Sequence, residues 1–497
     1  MLAVIIPSIG YTKIFLDLKD KMKKVFITLF FFAFISNAAG QITQQEKVDS
    51  VVTLLLKYWK EKNADEMYKL GGTNFRKQYT PESFKEVWND QMFKLGDVNE
   101  KSIIKSNAGV NTYKLVFEPI TFSFSASLDT LDKFDIFNFA LYKDETAGRK
   151  TKIASDNKLN TLLDKQVDSI MQQYFFDTAT VGASIGILVN GKSYLYNYGE
   201  TVKGNKQLPT DKSIYEIGSI SKTFTASLLA LAVLEDKVKL SDPVNKYLPK
   251  DIASLQFNNK PITLESLSNH TSGLPYMPTN LNNTDSFNLF KDYDNKALFD
   301  LLKTFKLTRE AGEQYEYSNV AVGLLGVILE RVYNKTYEQL VTEKIARPLI
   351  MPFTNQNLKH QYTNLYAKGH DGNGNTKPGW TQQSMAAAGA LHSNVSDLLK
   401  YATANIFCTN QTLQKAFTLT HKTTFKNATQ EVGLGWHKVS LASVKVILHT
   451  GGTGGFKSCI AIIPEKKLAV VGLSNQLTDV QKEMLVILEK LLIENAK

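Results

Sequence analysis

Gly218-Ser219-Ile220-Ser221-Lys222-Thr223 lies where a strand-like segment, residues 213–217, gives way to an apolar helical run, residues 224–235. A serine followed three residues later by a lysine at the start of a helix puts hydroxyl and amine on one helical face, where they can share a proton. First-turn amides, which lack intrahelical partners, favour negative charge developing on the serine oxygen or beside it. Burial against Phe224 and Leu228 would lower the Lys222 pKa and make it a base near neutrality, which is how an unreactive hydroxyl becomes a nucleophile. The competing reading is a helix-capping serine with a solvated lysine. The same spacing recurs at Ser102/Lys105, in a polar strand-like stretch, and at Ser155/Lys158, in a charged run; both read as surface.

The 497 residues suggest two to three domains, and 43% apolar with 21% charged residues fits a soluble globular protein. Met22-Lys23-Lys24, an apolar run over 25–35 and Ser36-Asn37-Ala38-Ala39-Gly40 read as a signal peptide cleaved near Ala39 or Gly40, too short to span a bilayer. Residues 1–21 then follow either an upstream start or belong to an extended basic leader. The expectation is an exported protein, periplasmic or secreted, without a membrane span in the mature chain. Its two cysteines, Cys408 and Cys459, fit two buried free thiols better than a disulfide framework. Five Lys against two Asp in residues 1–40 carry +3 of the net charge of +10, and no basic cluster interleaves with aromatics, so nucleic acid is not expected as a partner.

Residues 41–143 read as a small α+β domain. Val48, Val51, Val52, Leu55, Leu56 and Trp59 recur at helical spacing, and Phe122 and Phe124 then alternate with Ser in a strand-like beat. This domain resembles the small units, with a nuclear transport factor 2-like cone, that precede hydrolase domains in some exported proteins; an accessory role in folding, docking or ligand sensing is expected. Residues 144–159, charged and poor in apolar side chains, read as a linker. Residues 160–497 then read as one larger domain, with a hairpin around Asn190-Gly191, strands over 445–449, 457–463 and 467–473, and a closing helix over 480–496. Strands at both ends with helices between them imply one sheet assembled from distant segments.

An activated serine also needs a second proton handler and an oxyanion site. Tyr317-Ser318-Asn319 stands between a turn and an apolar helix, which distinguishes it from the Tyr-x-Asn copies at Tyr293 and Tyr362 in polar loops. His449-Thr450-Gly451-Gly452 ends an apolar strand, and its glycines let a substrate backbone approach closely. The bland alternatives are a half-buried tyrosine and a glycine-rich strand exit.

In this order the three pieces resemble the class C β-lactamase and penicillin-binding-protein-like serine hydrolases, which include D-aminopeptidases, D,D-carboxypeptidases and esterases. Residues 266–275, 312–319 and 388–393 extend the likeness over about two thirds of the chain. The resemblance implies an α/β (α+β) fold, an antiparallel sheet flanked by helices with a mostly helical subdomain. It implies that Ser219 is acylated, that Lys222 and Tyr317 carry the protons, that Asn319, His449, Thr450 and Gly451 bind substrate, and that the amides of Ser219 and Gly452 form the oxyanion hole. Class A enzymes match less well, because Ser155-Asp156-Asn157 precedes the serine instead of following it.

The strand motif begins with His449, whereas β-lactamases and D,D-peptidases usually carry Lys there. A histidine near its ordinary pKa is largely neutral at pH 7.5 and a weak carboxylate anchor. Poor action on β-lactams and better action on D-amino-acid peptides, small esters or amides is therefore expected; the alternative is a penicillin-binding or sensor protein that acylates without turnover. No metal or other cofactor is expected. The seven histidines are scattered, and Asp371-Gly372-Asn373-Gly374-Asn375 departs from a calcium loop at Thr376 and Gln382. Residues 276–296 and 357–383, the latter with Tyr366 and Trp380, are loops that can shape specificity or merely face solvent.

Overall fold

The computed structural model describes residues 43–90, 92–107, 109–118, 120–142, 152–176, 180–281, 288 and 290–494. The expected signal peptide and residues 143–151 lie outside them. The chain divides into two compact units between residues 145 and 146.

In the first unit, helix α1 (Gln44–Lys60) opens with a reciprocal cap between Thr43 and Glu46. Helices α2 (Ala64–Lys69), α3 (Thr73–Gln78) and α4 (Pro81–Asp90) follow, then an antiparallel meander of β1 (Glu100–Asn107), β2 (Val110–Val116), β3 (Thr121–Leu128) and β4 (Phe134–Leu141). Strands β2 and β3 bury every second residue, so one sheet face packs on the helices. The core is aromatic, with Trp88 stacked on Phe84 at 4.0 Å and Phe124 on Phe139 at 4.4 Å. Ser102 and Lys105 lie on β1 of the first unit, whereas Ser219 belongs to the second.

The second unit is built on eight antiparallel strands. They are β5 (Gly182–Val189), β6 (Lys192–Gly199), β9 (Phe425–Lys426), β10 (Glu431–Val432), β11 (His437–Leu441), β12 (Val444–Gly452), β13 (Lys457–Ile463) and β14 (Leu468–Ser474), in the spatial order β9-β10-β11-β12-β13-β14-β5-β6. The short pair β7 (Tyr215–Glu216) and β8 (His392–Ser393) stands apart. Side-chain alternation sends Ile447, Ile460 and Val471 to one face, under helices α6 (Ser221–Leu234), α7 (Asn319–Tyr333), α8 (Val395–Ile406) and α9 (Gln411–His421). Val446, Leu448, Ala461 and Val470 go to the other, under α5 (Leu162–Phe176) and α10 (Gln481–Glu494). Sequence-distant strands thus close one sheet, with β5 and β6 pairing beside the C-terminal β14.

Residues 152–159, read as the end of a linker, instead run beside β6. The Gly199 amide donates to Ala154 O, and the Asp156 carboxylate accepts from the Asn197 amide and side chain at 2.8 and 2.6 Å. Asn157 reaches Asp164 O and the Tyr198 hydroxyl. Charge made this segment look like a linker; here the polar side chains cap the sheet edge, which gives Ser155-Asp156-Asn157 a structural place. Asp371 accepts from the amides of Asn373 and Asn375 and pairs with Lys377 at 2.9 Å, and Lys203 Nζ donates to Asn373 O, so the loop there is a turn held by its own polar groups and by Lys203. Cys408 and Cys459 are free and buried. Among the described residues no helix is long and apolar enough to cross a membrane.

Candidate active site

Ser219 occupies the middle of a single 3-10 turn, Gly218–Ile220, entered directly from β7 and leading straight into α6. Three hydrogen bonds pin the turn. Ser458 Oγ donates to Ile217 O at 2.9 Å, Ser221 Oγ donates to Gly218 O at 2.7 Å, and Ser221 Oγ accepts from the Leu391 amide at 3.1 Å. Close approach of β12 completes it. A Cβ on Gly451 would stand 2.0 Å from Ile217 O, and one on Gly218 (φ +51°) 2.6 Å from the Gly452 amide nitrogen, so both positions require glycine. The two backbones proposed for an oxyanion hole, at Ser219 and Gly452, are thereby adjacent.

Lys222 is 1% exposed on α6. Its Nζ lies 3.0 Å from Ser219 Oγ, 2.8 Å from Asn319 Oδ1 and 2.6 Å from Ala388 O. Burial holds its pKa well below the ordinary lysine value. The partners then fix the hydrogens. Asn319 Oδ1 and Ala388 O can only accept, so each takes an N–H of Lys222. The remaining position on Nζ faces Ser219 Oγ, within hydrogen-bond distance.

Tyr317 shares a hydrogen bond with Ser219, and burial raises its pKa well above 10; Lys222 Nζ is 4.8 Å from its ring centroid. The segment carrying it is held by a short ladder. Glu316 N donates to His270 O, Ser318 N to His270 Nδ1, and Ser318 Oγ to Pro275 O. Ser318 also caps α7, whose first residue is Asn319. His270 stacks on the Tyr317 ring at 4.3 Å.

His449 is 2% exposed, and its Nδ1–H donates to Thr450 O at 2.7 Å. Burial first, then the neighbouring His437 and Lys222, push its pKa well below 6.5. This residue is therefore a neutral imidazole. Thr450, across from Cys459, projects to the opposite sheet face from His449 and Gly451. Ser219, Lys222, Tyr317, Asn319, His449, Gly451 and Gly452 thus converge, while Ser155, Tyr293 and Tyr362 stand elsewhere in the fold. Sequence reasoning did not find the Ala388 carbonyl or His437, whose ring lies 5.1 Å from His449. His437 belongs to no motif, and Ala388, although it opens the stretch 388–393, acts through its backbone. That carbonyl is 166 residues from Lys222, and His437 is delivered by the β11–β12 register, where it faces Leu448.

The family model described as Beta-lactamase matches residues 164–491. This chain belongs to that family. It is a serine hydrolase of the β-lactamase and D,D-peptidase type. A Beta-lactamase of Pseudomonas fluorescens is 30% identical over 64% of the chain and 94% of its own length. D-alanyl-D-alanine-carboxypeptidase/endopeptidase AmpH of Escherichia coli (strain K12) is 29% identical over 61% and 81%. A solved class C beta-lactamase superposes with a TM-score of 0.60 at 27% identity over 68% of this chain and 98% of its own. The Beta-Lactamase/D-Alanine Carboxypeptidase of Pseudomonas syringae, at 24% identity and a TM-score of 0.60, shares the fold over 68% of this chain and all of its own.

Proposed function

We propose that Ser219 is the nucleophile of an acyl-enzyme hydrolase acting on amide or ester bonds of small substrates, D-amino-acid peptides and esters ahead of β-lactams. The observation that supports this most directly is the buried Lys222 amine, which donates to Asn319 Oδ1 and Ala388 O and whose third position faces Ser219 Oγ. Ser219 attacks the substrate carbonyl as its proton passes to Lys222. The oxyanion receives the amides of Ser219 and Gly452. Tyr317, kept as a phenol by burial, hands its proton to the leaving group and takes one back from the protonated Lys222. Asn319, fixed by Lys222, presents its amide nitrogen to the substrate, and water releases the acyl group.

The ranking of substrates rests on His449. A neutral imidazole with Nδ1–H committed to Thr450 O offers a lone pair at Nε2, which repels a carboxylate placed against it. Export, with residues 1–40 removed, and an accessory role for residues 41–143 belong to the same proposal. The test is turnover of a chromogenic acetate ester, a D-alanyl-D-alanine peptide and a penicillin at pH 7.5, with intact-mass detection of adducts. Ester or peptide turnover above penicillin turnover is expected. Rapid penicillin hydrolysis would overturn the ranking, and a long-lived penicillin adduct without turnover would favour the penicillin-binding alternative.

A further inference from the structure

The strand that flanks the nucleophile is paired on its outer side only as far as Leu448, which faces His437 of β11. On the inner side β13 continues to pair, and its first residue, Lys457, stands directly across from Gly452. Cross-strand partners project to the same face, so Thr450, Gly452 and Lys457 share the face opposite to His449. Gly452 has no side chain there, and the Lys457 side chain fills the space. A Cβ on Gly452 would meet Lys457 Nζ at 3.2 Å, Cδ at 3.5 Å and Cε at 3.6 Å. The ammonium has therefore crossed from its own strand to lie over β12, beside the backbone that closes on Gly218. The residue is half-buried.

We propose that Lys457 is a specificity-determining residue that receives a carboxylate on the leaving-group side of the substrate, the charge that His449 cannot bind. This rests on the acyl-enzyme reading of Ser219 and refines it. The favoured substrates are those whose carboxylate extends past the oxyanion amide onto the Thr450/Gly452 face, such as a peptide with a free C-terminal carboxylate. Short-range contact with a half-exposed ammonium is worth a modest, salt-sensitive gain.

The experiment compares kcat/KM for two aryl acetates that differ only in carrying a carboxylate or a carboxamide on the leaving group, in wild type, Lys457→Met and Lys457→Arg, at low and high salt. Thermal unfolding of each variant checks the fold, and fluorophosphonate labelling of wild type checks Ser219. The expected carboxylate-to-carboxamide preference is about fivefold in wild type. It falls to about one in Lys457→Met, is largely kept in Lys457→Arg, and shrinks with salt. An equal preference in wild type and Lys457→Met, with Ser219 labelled, overturns this inference alone. Absence of labelling at Ser219 overturns the acyl-enzyme reading and the inference with it.

Discussion

Replacing Lys222 with Met keeps most of the side-chain volume and removes the amine, so its consequences follow from the three contacts at Nζ. Two of them, Asn319 Oδ1 and Ala388 O at 2.8 and 2.6 Å, are buried acceptors that lose their donor. Each stranded acceptor costs about 1–3 kcal/mol. Removing the buried amine's own desolvation cost returns about 1 kcal/mol, leaving a net loss of roughly 1–5 kcal/mol. The third contact faces Ser219 Oγ, and loss of a general base lowers acylation by about 10²–10⁴-fold. Urea unfolding followed by circular dichroism reads the first effect; the burst of leaving group from an activated ester under single-turnover conditions reads the second. Acylation within about tenfold of wild type would refute Lys222 as the base. A wild-type urea midpoint would refute the account of its hydrogen bonds.

Three further predictions concern stability and access. Burial holds the His437 pKa down to about 4 and those of His270 and His449 well below 6.5, so the unfolded chain binds more protons than the native one just below pH 6.5. Stability should therefore be full above that pH and fall as pH drops towards 4, with His437 alone accounting for about 3 kcal/mol; urea midpoints that do not change between pH 7 and 4.5 would contradict this. Asp156→Ala should destabilise the second unit by about 1–3 kcal/mol, because Asn197 loses both acceptors, with Ser219 still labelled by a fluorophosphonate; unfolding at the wild-type midpoint would return residues 152–159 to the status of a linker. A thiol reagent should leave the native protein unmodified and react with two groups per chain in denaturant, since both cysteines are buried and free; one or no reactive thiol in the unfolded, unreduced chain would contradict it.

Much of the site was legible because its side chains sit in short motifs whose local geometry is set by secondary structure. Ser219 and Lys222 are neighbours on one helical turn, and Asn319 follows a serine cap that fixes where α7 begins. The sheet was legible for a similar reason, as β13 shows by starting and ending where its apolar run does, at Lys457 and Ile463. What escaped the sequence depends on registers between distant segments. The Ala388 carbonyl reaches Lys222 only after α6 has packed on the segment before β8. His437 meets His449, and Lys457 crosses Gly452, through strand pairings that no spacing encodes. The polar run 152–159 was misread because composition reports charge but not the partners, here Asn197 and Tyr198, that satisfy it.

The central claim is that Ser219, activated by Lys222, forms the acyl-enzyme. Peptide mapping after reaction with a fluorophosphonate tests it most directly, in wild type and in Ser219→Ala. The account predicts one adduct per chain, on Ser219, lost in the variant. An adduct on another residue, or equal labelling of Ser219→Ala, would contradict it.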